Sequence, residues 1–255
     1  MLLSVFSYRL SVLSVRSVPI EHSLKTENCQ LKTGVRPLII AIDGPSGAGK
    51  GTVARALATR LGYRHIDTGA MYRAIAWKAL HDGLSLEEET IIAALAERAV
   101  LEASNGVVTI DGENVARAIR TPEIDRAATA AARLPRVRAA LVPRQRAAGV
   151  GGGIVMEGRD VGTVIFPDAD VKIYLDASPE ERARRRADDP AHTGGREGSL
   201  SSVASDLRAR DTSDMTRTVS PLAVAADAVV IDTTNLGIQQ VVDTVMEIVE
   251  GKLRR

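Results

Sequence analysis

A glycine-rich loop that directly follows an apolar run is the sequence feature that most constrains the fold of this chain. The apolar run is Leu38-Ile39-Ile40-Ala41-Ile42, and residues 44–52 after it read Gly-Pro-Ser-Gly-Ala-Gly-Lys-Gly-Thr. Glycines let successive backbone N–H groups converge on one anion, and a following helix directs its positive end at the same point. The order of strand, loop and helix therefore predicts a phosphate-binding loop made of Gly44, Pro45, Ser46, Gly47, Ala48, Gly49, Lys50, Gly51 and Thr52.

The residue after the loop lysine distinguishes this loop from those of GTPases and motor proteins. The strict pattern has Ser or Thr there as a magnesium ligand, whereas this chain has Gly51 and carries the hydroxyl one residue later, at Thr52. The form Gly-Lys-Gly-Thr resembles the loop of kinases that act on small nucleotides. A structural strand-to-helix turn is the alternative, but the helical spacing of Val53, Leu57 and Leu61 favours the phosphate loop.

Composition narrows the fold and the partners. Apolar residues make up 45% of the 255 residues and aromatic residues only 3%, which suits the aliphatic core of one helix-covered parallel sheet with small inserted subdomains. A net charge of +1 gives no support for binding a nucleic-acid polymer or a membrane surface. The single Cys29 excludes an internal disulfide and indicates a reducing, cytoplasmic location.

The first 36 residues differ from the rest of the chain. They contain no acidic residue before Glu21, and serines and arginines interrupt their apolar positions. A targeting peptide is rich in Ser and Arg and poor in acids. Because no clean apolar segment is present, we favour a disordered or dispensable extension over residues 1–36 and assign residues 37–255 to the folded domain.

Four further apolar runs are predicted as strands, at Tyr63–Ile66, Ile154–Met156, Val171–Leu175 and Ala228–Ile231. Their alternation with helical patterns predicts an α/β fold with a parallel five-stranded sheet flanked by helices. Ligands of such sheets lie beyond the carboxyl ends of the strands. A carboxylate follows each run, at Asp43, Asp67, Glu157, Asp176 and Asp232, and the last two are expected only to cap helices.

The segment between the second and third predicted strands has a different character and is interpreted as an insertion. Val107–Ile110 and Glu113–Val115 flank an Asp-Gly turn, which predicts a hairpin, and Thr121-Pro122 predicts the start of a helix. Further along, Ser178–Glu181 predicts a capping box, and the polar residues 189–198 predict a lid. The last helix is expected to bury Ile238, Val241, Val242, Val245, Ile248 and Val249 on one face.

Polar clusters mark the candidate site. Thr68 and Arg73 can hold a second phosphate, although a helix cap with a surface arginine is the alternative. Arg159 and Asp160 lie between glycines, where a ligand site is favoured over a structural salt bridge. The histidines show no metal or triad spacing, and His65 is expected to pack in the core. Arg208, Arg210, Asp211, Asp214 and Arg217 favour phosphate binding over a solvated ladder, whereas Arg184–Arg186 is interpreted as a solvated face.

Taken together, these segments resemble the bacterial cytidylate kinases. The resemblance covers residues 37–250 and implies a P-loop core at 37–70 and 151–255, a nucleoside-monophosphate-binding insert at about 71–150 and a short lid at about 187–200. It also implies phosphoryl transfer from ATP to CMP and dCMP by a monomer. The motifs that carry it are Asp43–Thr52, Asp67–Arg73, Pro135–Arg138, Gly158–Thr163 and Arg210–Arg217.

The resemblance also implies roles for individual residues. The phosphate loop would bind ATP, and no side chain is expected to bind a metal directly, so Mg²⁺ would be held mainly by phosphates and water. Asp160 and Arg138 would supply the acceptor and the donor that distinguish cytosine from uracil. The expected catalytic residues are Lys50, Arg159, Arg210 and Arg217, and the expected CMP-binding residues are Thr68, Arg73, Thr129, Arg138, Arg159, Asp160 and Asp214.

Two alternative functions stay open from the sequence. One is a kinase for another small acceptor, such as UMP or shikimate, although the insert and Pro135–Arg138 suit a nucleotide base better. The other is a P-loop regulatory module, which would carry Ser or Thr at position 51 and an Asn-Lys-x-Asp run. The chain has neither feature.

Overall fold

The computed structural model describes residues 36–189 and 199–254, in which helices and strands alternate along most of the chain. A short π-helical turn at Val161–Ile165 follows the sixth strand. In chain order, the elements are β1 (Ile39–Asp43), α1 (Lys50–Leu61), β2 (Arg64–Asp67), α2 (Thr68–His81), α3 (Glu89–Arg98), β3 (Leu101–Ser104), β4 (Val107–Ile110), β5 (Glu113–Asn114), α4 (Pro122–Arg133), α5 (Pro135–Ala148), β6 (Ile154–Glu157), β7 (Val171–Asp176), α6 (Pro179–Ala187), α7 (Leu200–Thr216), β8 (Val229–Asp232) and α8 (Ile238–Leu253).

A five-stranded parallel sheet in the order β2-β6-β1-β7-β8 forms the core. Its strands are apolar because both faces are covered: α1 and α8 pack on one face through Leu57 and Val245, and Val161 and Ile165 pack on the other. Each predicted strand lies within one residue of an observed one, so the predicted parallel sheet is confirmed. All five strands end in a carboxylate, which brings these acidic side chains to one edge of the sheet.

The elements between β2 and β6 build a second apolar core around α2, α3 and α5, with Ile75, Ile92 and Leu141 fully buried. The predicted hairpin forms as β4 and β5, and the unpredicted strand β3 extends it to a three-stranded antiparallel sheet. Its sequence Leu-Glu-Ala-Ser alternates apolar and polar residues, and Leu101 and Ala103 pack against the second core, so a short strand signal is present there. The exact limits of the insert stay a prediction.

The predicted N-terminal caps of α4 and α6 are present as hydrogen bonds. Thr121 Oγ1 accepts from the backbone N–H of Ile124, and Ser178 Oγ accepts from that of Glu181, each at 3.2 Å. The reciprocal half of the predicted capping box is absent from the described contacts, because the Glu181 carboxylate accepts from Arg184 and Arg185 instead. One half of the box is therefore sufficient to start α6.

Two expectations about side chains were wrong. Asp176 and Asp232 do not cap helices, because each accepts from a backbone N–H one or two residues after its strand, that of Ala177 at 2.8 Å and that of Thr234 at 2.9 Å. On α8, Ile238 is 59% exposed because it lies in the first turn of the helix, where it lines the cleft and is not part of the core beside the sheet. The buried face comprises Val241, Val242, Val245, Met246 and Val249.

The predicted extension and part of the predicted lid lie outside the described residues, which begin at Arg36 and omit 190–198. At the start of the described chain, the Arg36 guanidinium donates to the Asp170 carboxylate, and the Ile39 N–H donates to Asp170 Oδ2 at 2.8 Å. Within the described residues, no helix is long and apolar enough to cross a membrane.

A protein shortened to begin at Thr33 is expected to keep the melting temperature and the activity of the full chain. It retains Arg36 and all of β1, and so keeps the contacts that tie the start of the core to Asp170. Thermal unfolding and phosphoryl transfer, measured side by side with the full chain, check this. A clearly lower melting temperature would show that residues 1–32 stabilise the core.

Candidate functional site

A cleft of about 990 Å³ lies at the carboxyl edge of the large sheet, between the phosphate loop and the insert. Its wall includes residues 46–52 of the loop, while Gly44 and Pro45 lie behind the surface and support it. The structure brings the predicted catalytic and CMP-binding side chains to this one cleft: Lys50, Thr68, Arg73, Thr129, Arg138, Arg159, Asp160, Arg210, Asp214 and Arg217.

The phosphate loop is held against its surroundings by close backbone packing. Gly44 has a φ of 144°, and a Cβ there would lie 2.0 Å from the Leu175 carbonyl oxygen, so only glycine fits. The Lys50 ammonium is buried and donates to the Pro45 carbonyl at 2.7 Å. Burial, together with the charge of Arg159, lowers the pKa of Lys50 to about 7, and Glu157 opposes this shift.

Asp43 at the end of β1 shapes the segment that carries two predicted site residues. Its Oδ1 accepts from the Val161 N–H at 2.8 Å, and its Oδ2 accepts from the Gly162 N–H at 2.7 Å. Burial raises the pKa of Asp43 to about 6, although these two hydrogen bonds favour the charged form. Asp43 thereby holds the turn that follows Arg159 and Asp160, a role that its place at a strand end did not reveal.

A buried group of ions surrounds Asp160, which is 4% exposed. The Arg138 guanidinium donates to Asp160 Oδ2, and Arg217 Nη2 donates to Oδ1 at 3.2 Å. Arg138 also lies over the ring of Tyr72, with its Cζ 5.5 Å from the ring centroid. The two guanidinium groups thus bond different oxygens of the Asp160 carboxylate, and all three side chains line the cleft.

Asp214 on α7 fixes a second arginine. Arg159 Nε donates to Asp214 Oδ2 at 2.8 Å, and Arg217 Nη1 lies 3.9 Å from Asp214 Oδ1. Burial opposes both charges, yet the pKa of Arg159 is raised by Asp214, and that of Asp214 is lowered by Arg159 and Arg210. Both groups therefore stay ionised at neutral pH.

The segment after β2 combines a helix cap with a buried arginine. Asp67 Oδ1 accepts from the Ala70 N–H at 2.9 Å, and its Oδ2 accepts from Arg73 Nη2 at 2.7 Å. Burial disfavours the charge of Asp67, but Arg73 and Arg120 outweigh it and lower its pKa. The Thr68 hydroxyl donates to the Glu157 carbonyl at 2.8 Å, so towards a ligand it can act only as an acceptor.

The Thr129 hydroxyl on α4, like that of Thr68, can act only as an acceptor towards a ligand. It donates to the Asp125 carbonyl one turn earlier, at 2.8 Å, and the oxygen lone pairs are left to face a ligand. The Asp125 carboxylate accepts from Arg186 on α6 and lies 3.4 Å from Arg210 Nη1 on α7. Asp125 therefore connects the insert to the two helices that flank the predicted lid.

The expectation of a solvated arginine face on α6 holds for one residue of three. Arg184 is exposed and pairs with Glu181. Arg186 bonds Asp125 in the cleft, and Arg185 Nη2 donates to the Thr233 carbonyl at 2.6 Å. Sequence reasoning missed these contacts because their partners are 61 and 48 residues away.

Another missed pair ties the lid-flanking helices to the phosphate loop. Arg182 on α6 donates to the Asp211 carboxylate on α7 and to the Ser46 carbonyl, the latter at 3.1 Å. The Ser46 N–H lies 3.4 Å from Asp211 Oδ1. Asp211, which the sequence groups with Arg208, Arg210, Asp214 and Arg217, thus supports the phosphate loop through its bonds to Arg182 and Ser46.

Comparisons with known proteins point to one family. A family model described as cytidylate kinase matches residues 40–251. A cytidylate kinase of Desulfitobacterium hafniense (strain Y51) is 48% identical over 219 residues, which cover 85% of this chain and 94% of the relative. Cytidylate kinases of Solibacter usitatus (44% over 228 residues; 87% and 96% covered) and Vibrio cholerae (45% over 219 residues; 84% and 97% covered) are similar to it as well.

Proposed function

This chain belongs to the cytidylate kinase family, and from that premise we propose how its cleft transfers a phosphoryl group from ATP to CMP. The observation that carries the proposal is that a phosphate loop and the buried Arg138–Asp160 pair face one cleft. The loop amides and Lys50 hold the ATP phosphates. CMP lies on the opposite wall, with its base towards Arg138 and Asp160 and its phosphate towards Arg73, Arg159 and Arg217.

Base recognition follows from hydrogen-bond polarity. Cytosine has an amino donor beside the ring N3 and O2 acceptors, whereas uracil has a carbonyl in place of the amino group. The Asp160 carboxylate accepts from the amino group, and the Arg138 guanidinium donates to the acceptors. Because both side chains are buried and already paired, the wrong base would leave charged groups without matching partners.

Phosphoryl transfer here needs cations more than it needs a base. The acceptor is a phosphate oxygen that is already anionic at neutral pH, so the main barriers are the repulsion between two polyanions and the charge on the transferring group. Lys50, Arg159, Arg210 and Arg217 offset that charge. Asp214, Asp125 and Asp160 position the guanidinium groups of the three arginines before substrate arrives, which reduces reorganisation during the reaction.

Several finer features complete the proposal. Mg²⁺ accompanies ATP and supplies further charge neutralisation; no group of three or more potential ligand side chains lies together in the described part of the chain. dCMP is accepted as well, as the resemblance to the family implies. We also propose a cytoplasmic monomer, whose insert and lid close over the nucleotides to exclude water.

The test is ADP release coupled to oxidation of a reporter, with CMP, dCMP, UMP, AMP and shikimate as acceptors. We expect CMP and dCMP to have the highest kcat/KM by at least about tenfold, because uracil reverses the hydrogen-bond polarity at Asp160. A higher kcat/KM for UMP or shikimate would contradict the proposal, and ADP release without any acceptor would indicate an ATPase.

ATP binding at pH 8 is expected to take up a proton. In the ligand-free protein the pKa of Lys50 is lowered to about 7, so most of the side chain is the neutral amine at pH 8. Bound phosphates favour the charged form and raise this pKa again. Affinity for ATP should therefore fall as the pH rises from 7 to 9. Calorimetry in buffers of different ionisation enthalpy measures the uptake, and Lys50→Ala should abolish it. Equal heats in all buffers for the parent would refute the prediction.

A further inference from the structure

A fully buried glutamine lies two turns along α5 from Arg138. Arg138, Leu141 and Gln145 are spaced three and four residues apart, so they share one face of the helix, and all three are buried. Neither amide atom of Gln145 has a hydrogen-bond partner within the described residues. A buried amide without such a partner lowers stability, so packing alone does not explain why this position carries glutamine instead of an apolar residue.

The hydroxyl of Tyr72 on α2 lies near this amide. Tyr72 is 7% exposed and packs in the same apolar core as Leu141, and its hydroxyl also makes no hydrogen bond of good geometry in the described part of the chain. Burial raises the pKa of Tyr72 to about 12, and the Arg138 charge and the Gln145 amide oppose this shift. The hydroxyl therefore stays protonated at neutral pH and can donate to the amide or accept from it.

The ring of Tyr72 in turn supports the guanidinium of Arg138 from one face, with the Arg138 Cζ 5.5 Å from the ring centroid. In its own plane this guanidinium makes one firm bond, from Nη2 to the Asp160 carboxylate. Its Nη1 lies 3.5 Å from the Ala132 carbonyl oxygen, and its Nε is buried without a partner among the described contacts. A single firm bond does not fix the plane of a guanidinium, so the tyrosine ring decides how the remaining donors are directed.

We propose that Gln145 is a positioning residue for base recognition: it holds the Tyr72 hydroxyl, and the Tyr72 ring thereby holds the Arg138 guanidinium in the plane that suits cytosine. The inference rests on the proposed function, because it requires Arg138 and Asp160 to contact the base. It makes discrimination between CMP and UMP depend on a side chain that does not line the cleft among the described residues.

The experiment measures kcat/KM for CMP and for UMP in the full chain carrying Gln145→Met. Methionine keeps the length of glutamine and fills the same space without the amide. We expect the CMP-to-UMP ratio of kcat/KM to fall roughly tenfold, mainly through a higher KM for CMP. The kcat at saturating CMP and the affinity for ATP should stay close to those of the parent. An unchanged ratio in a folded Gln145→Met protein would overturn the proposal.

A second variant, Tyr72→Phe, separates positioning from a contribution to stability. It removes the hydroxyl and keeps the ring, so the double variant with Gln145→Met should have a ratio no lower than the lower of the two single variants. The melting temperature of the double variant should return towards that of the parent, because the hydroxyl and the amide are both removed. A ratio that falls by the product of the two single effects would show that Gln145 acts independently of Tyr72, and the proposal would be wrong.

Ile92→Val is the matched control, because Ile92 is fully buried in the same apolar core and does not line the cleft in the described parts of the chain. It should lower the melting temperature slightly and keep the parent's CMP-to-UMP ratio. A similar fall of the ratio in Ile92→Val would attribute the effect to general loosening of the insert and refute the role of Gln145. Failure of the proposed function would look different, because the parent itself would then not prefer CMP to UMP.

Discussion

Lys50→Ala is expected to abolish most phosphoryl transfer while the protein stays folded. The ammonium lies at the start of α1, behind the loop amides and within the cleft, where a cation can follow the phosphoryl group as it moves. Loss of such a charge should cost on the order of 3–4 kcal/mol of transition-state stabilisation, or roughly 10²–10³ in kcat. The folded state should tolerate the change, because burial disfavours the charged form of this lysine.

Steady-state kinetics at saturating ATP, together with thermal unfolding, measures this effect. Lys78→Ala is the matched control, because Lys78 lies on α2 with its ammonium paired to Asp82 four residues later, and it does not line the cleft among the described residues. The control should keep the parent's kcat. A Lys50→Ala protein with turnover close to that of the parent would mean that the loop lysine does not stabilise the transferring group.

The second large effect is expected from Asp160→Asn, which should narrow or invert the preference for CMP over UMP. The amide keeps the shape of the side chain but presents a donor where the cytosine amino group also donates. It also weakens the buried bonds to Arg138 and Arg217. Unsatisfied buried groups of this kind cost roughly 1–3 kcal/mol or more, which corresponds to about 5- to 150-fold in kcat/KM for CMP.

Asp214→Asn provides the comparison, since Asp214 bonds Arg159 and approaches Arg217 but makes no contact with Arg138 in the described contacts. It should reduce kcat/KM for CMP and UMP by similar factors. ATP affinity should change little in Asp160→Asn, because the loop lies on the other wall of the cleft. If CMP and UMP are affected equally by Asp160→Asn, then Asp160 only supports the arginines and the base is recognised elsewhere.

The arrangement of charges in the cleft explains how so many cations can coexist there. Burial lowers the pKa of Arg210 and of Arg217, and neighbouring arginines add to that effect. Asp125, Asp160 and Asp214 oppose it, and each comes from a different element of the fold. Cations outnumber carboxylates among the described residues along the wall of the cleft, and several of them are paired before substrate binds, so phosphates that enter the cleft compete with carboxylates already in place.

Much of the fold follows from local sequence. The phosphate loop, the five apolar strands with a terminal carboxylate and the caps at Thr121 and Ser178 all depend on residues within a few positions of each other. These features can be predicted from the sequence because backbone conformation and local hydrogen bonds depend on residues close by in the chain. The clustering of Thr68, Arg159 and Asp160 could be predicted as well, because these residues follow β2 and β6 and the carboxyl ends of parallel strands lie at one edge of the sheet.

Other features were decided only by the tertiary structure. Glu157 meets His65 and Gly51, Arg186 meets Asp125, and Arg138 lies over Tyr72, each across 61 or more residues of chain. Strand β3 forms because β4 offers it a partner, and Ile238 stays exposed because it lines the cleft while later residues of α8 pack in the core. Sequence alone determines which elements form and which of their ends share an edge. Which charged side chains become partners depends on how distant elements pack, since a buried charge takes whichever opposite charge the packing brings within reach.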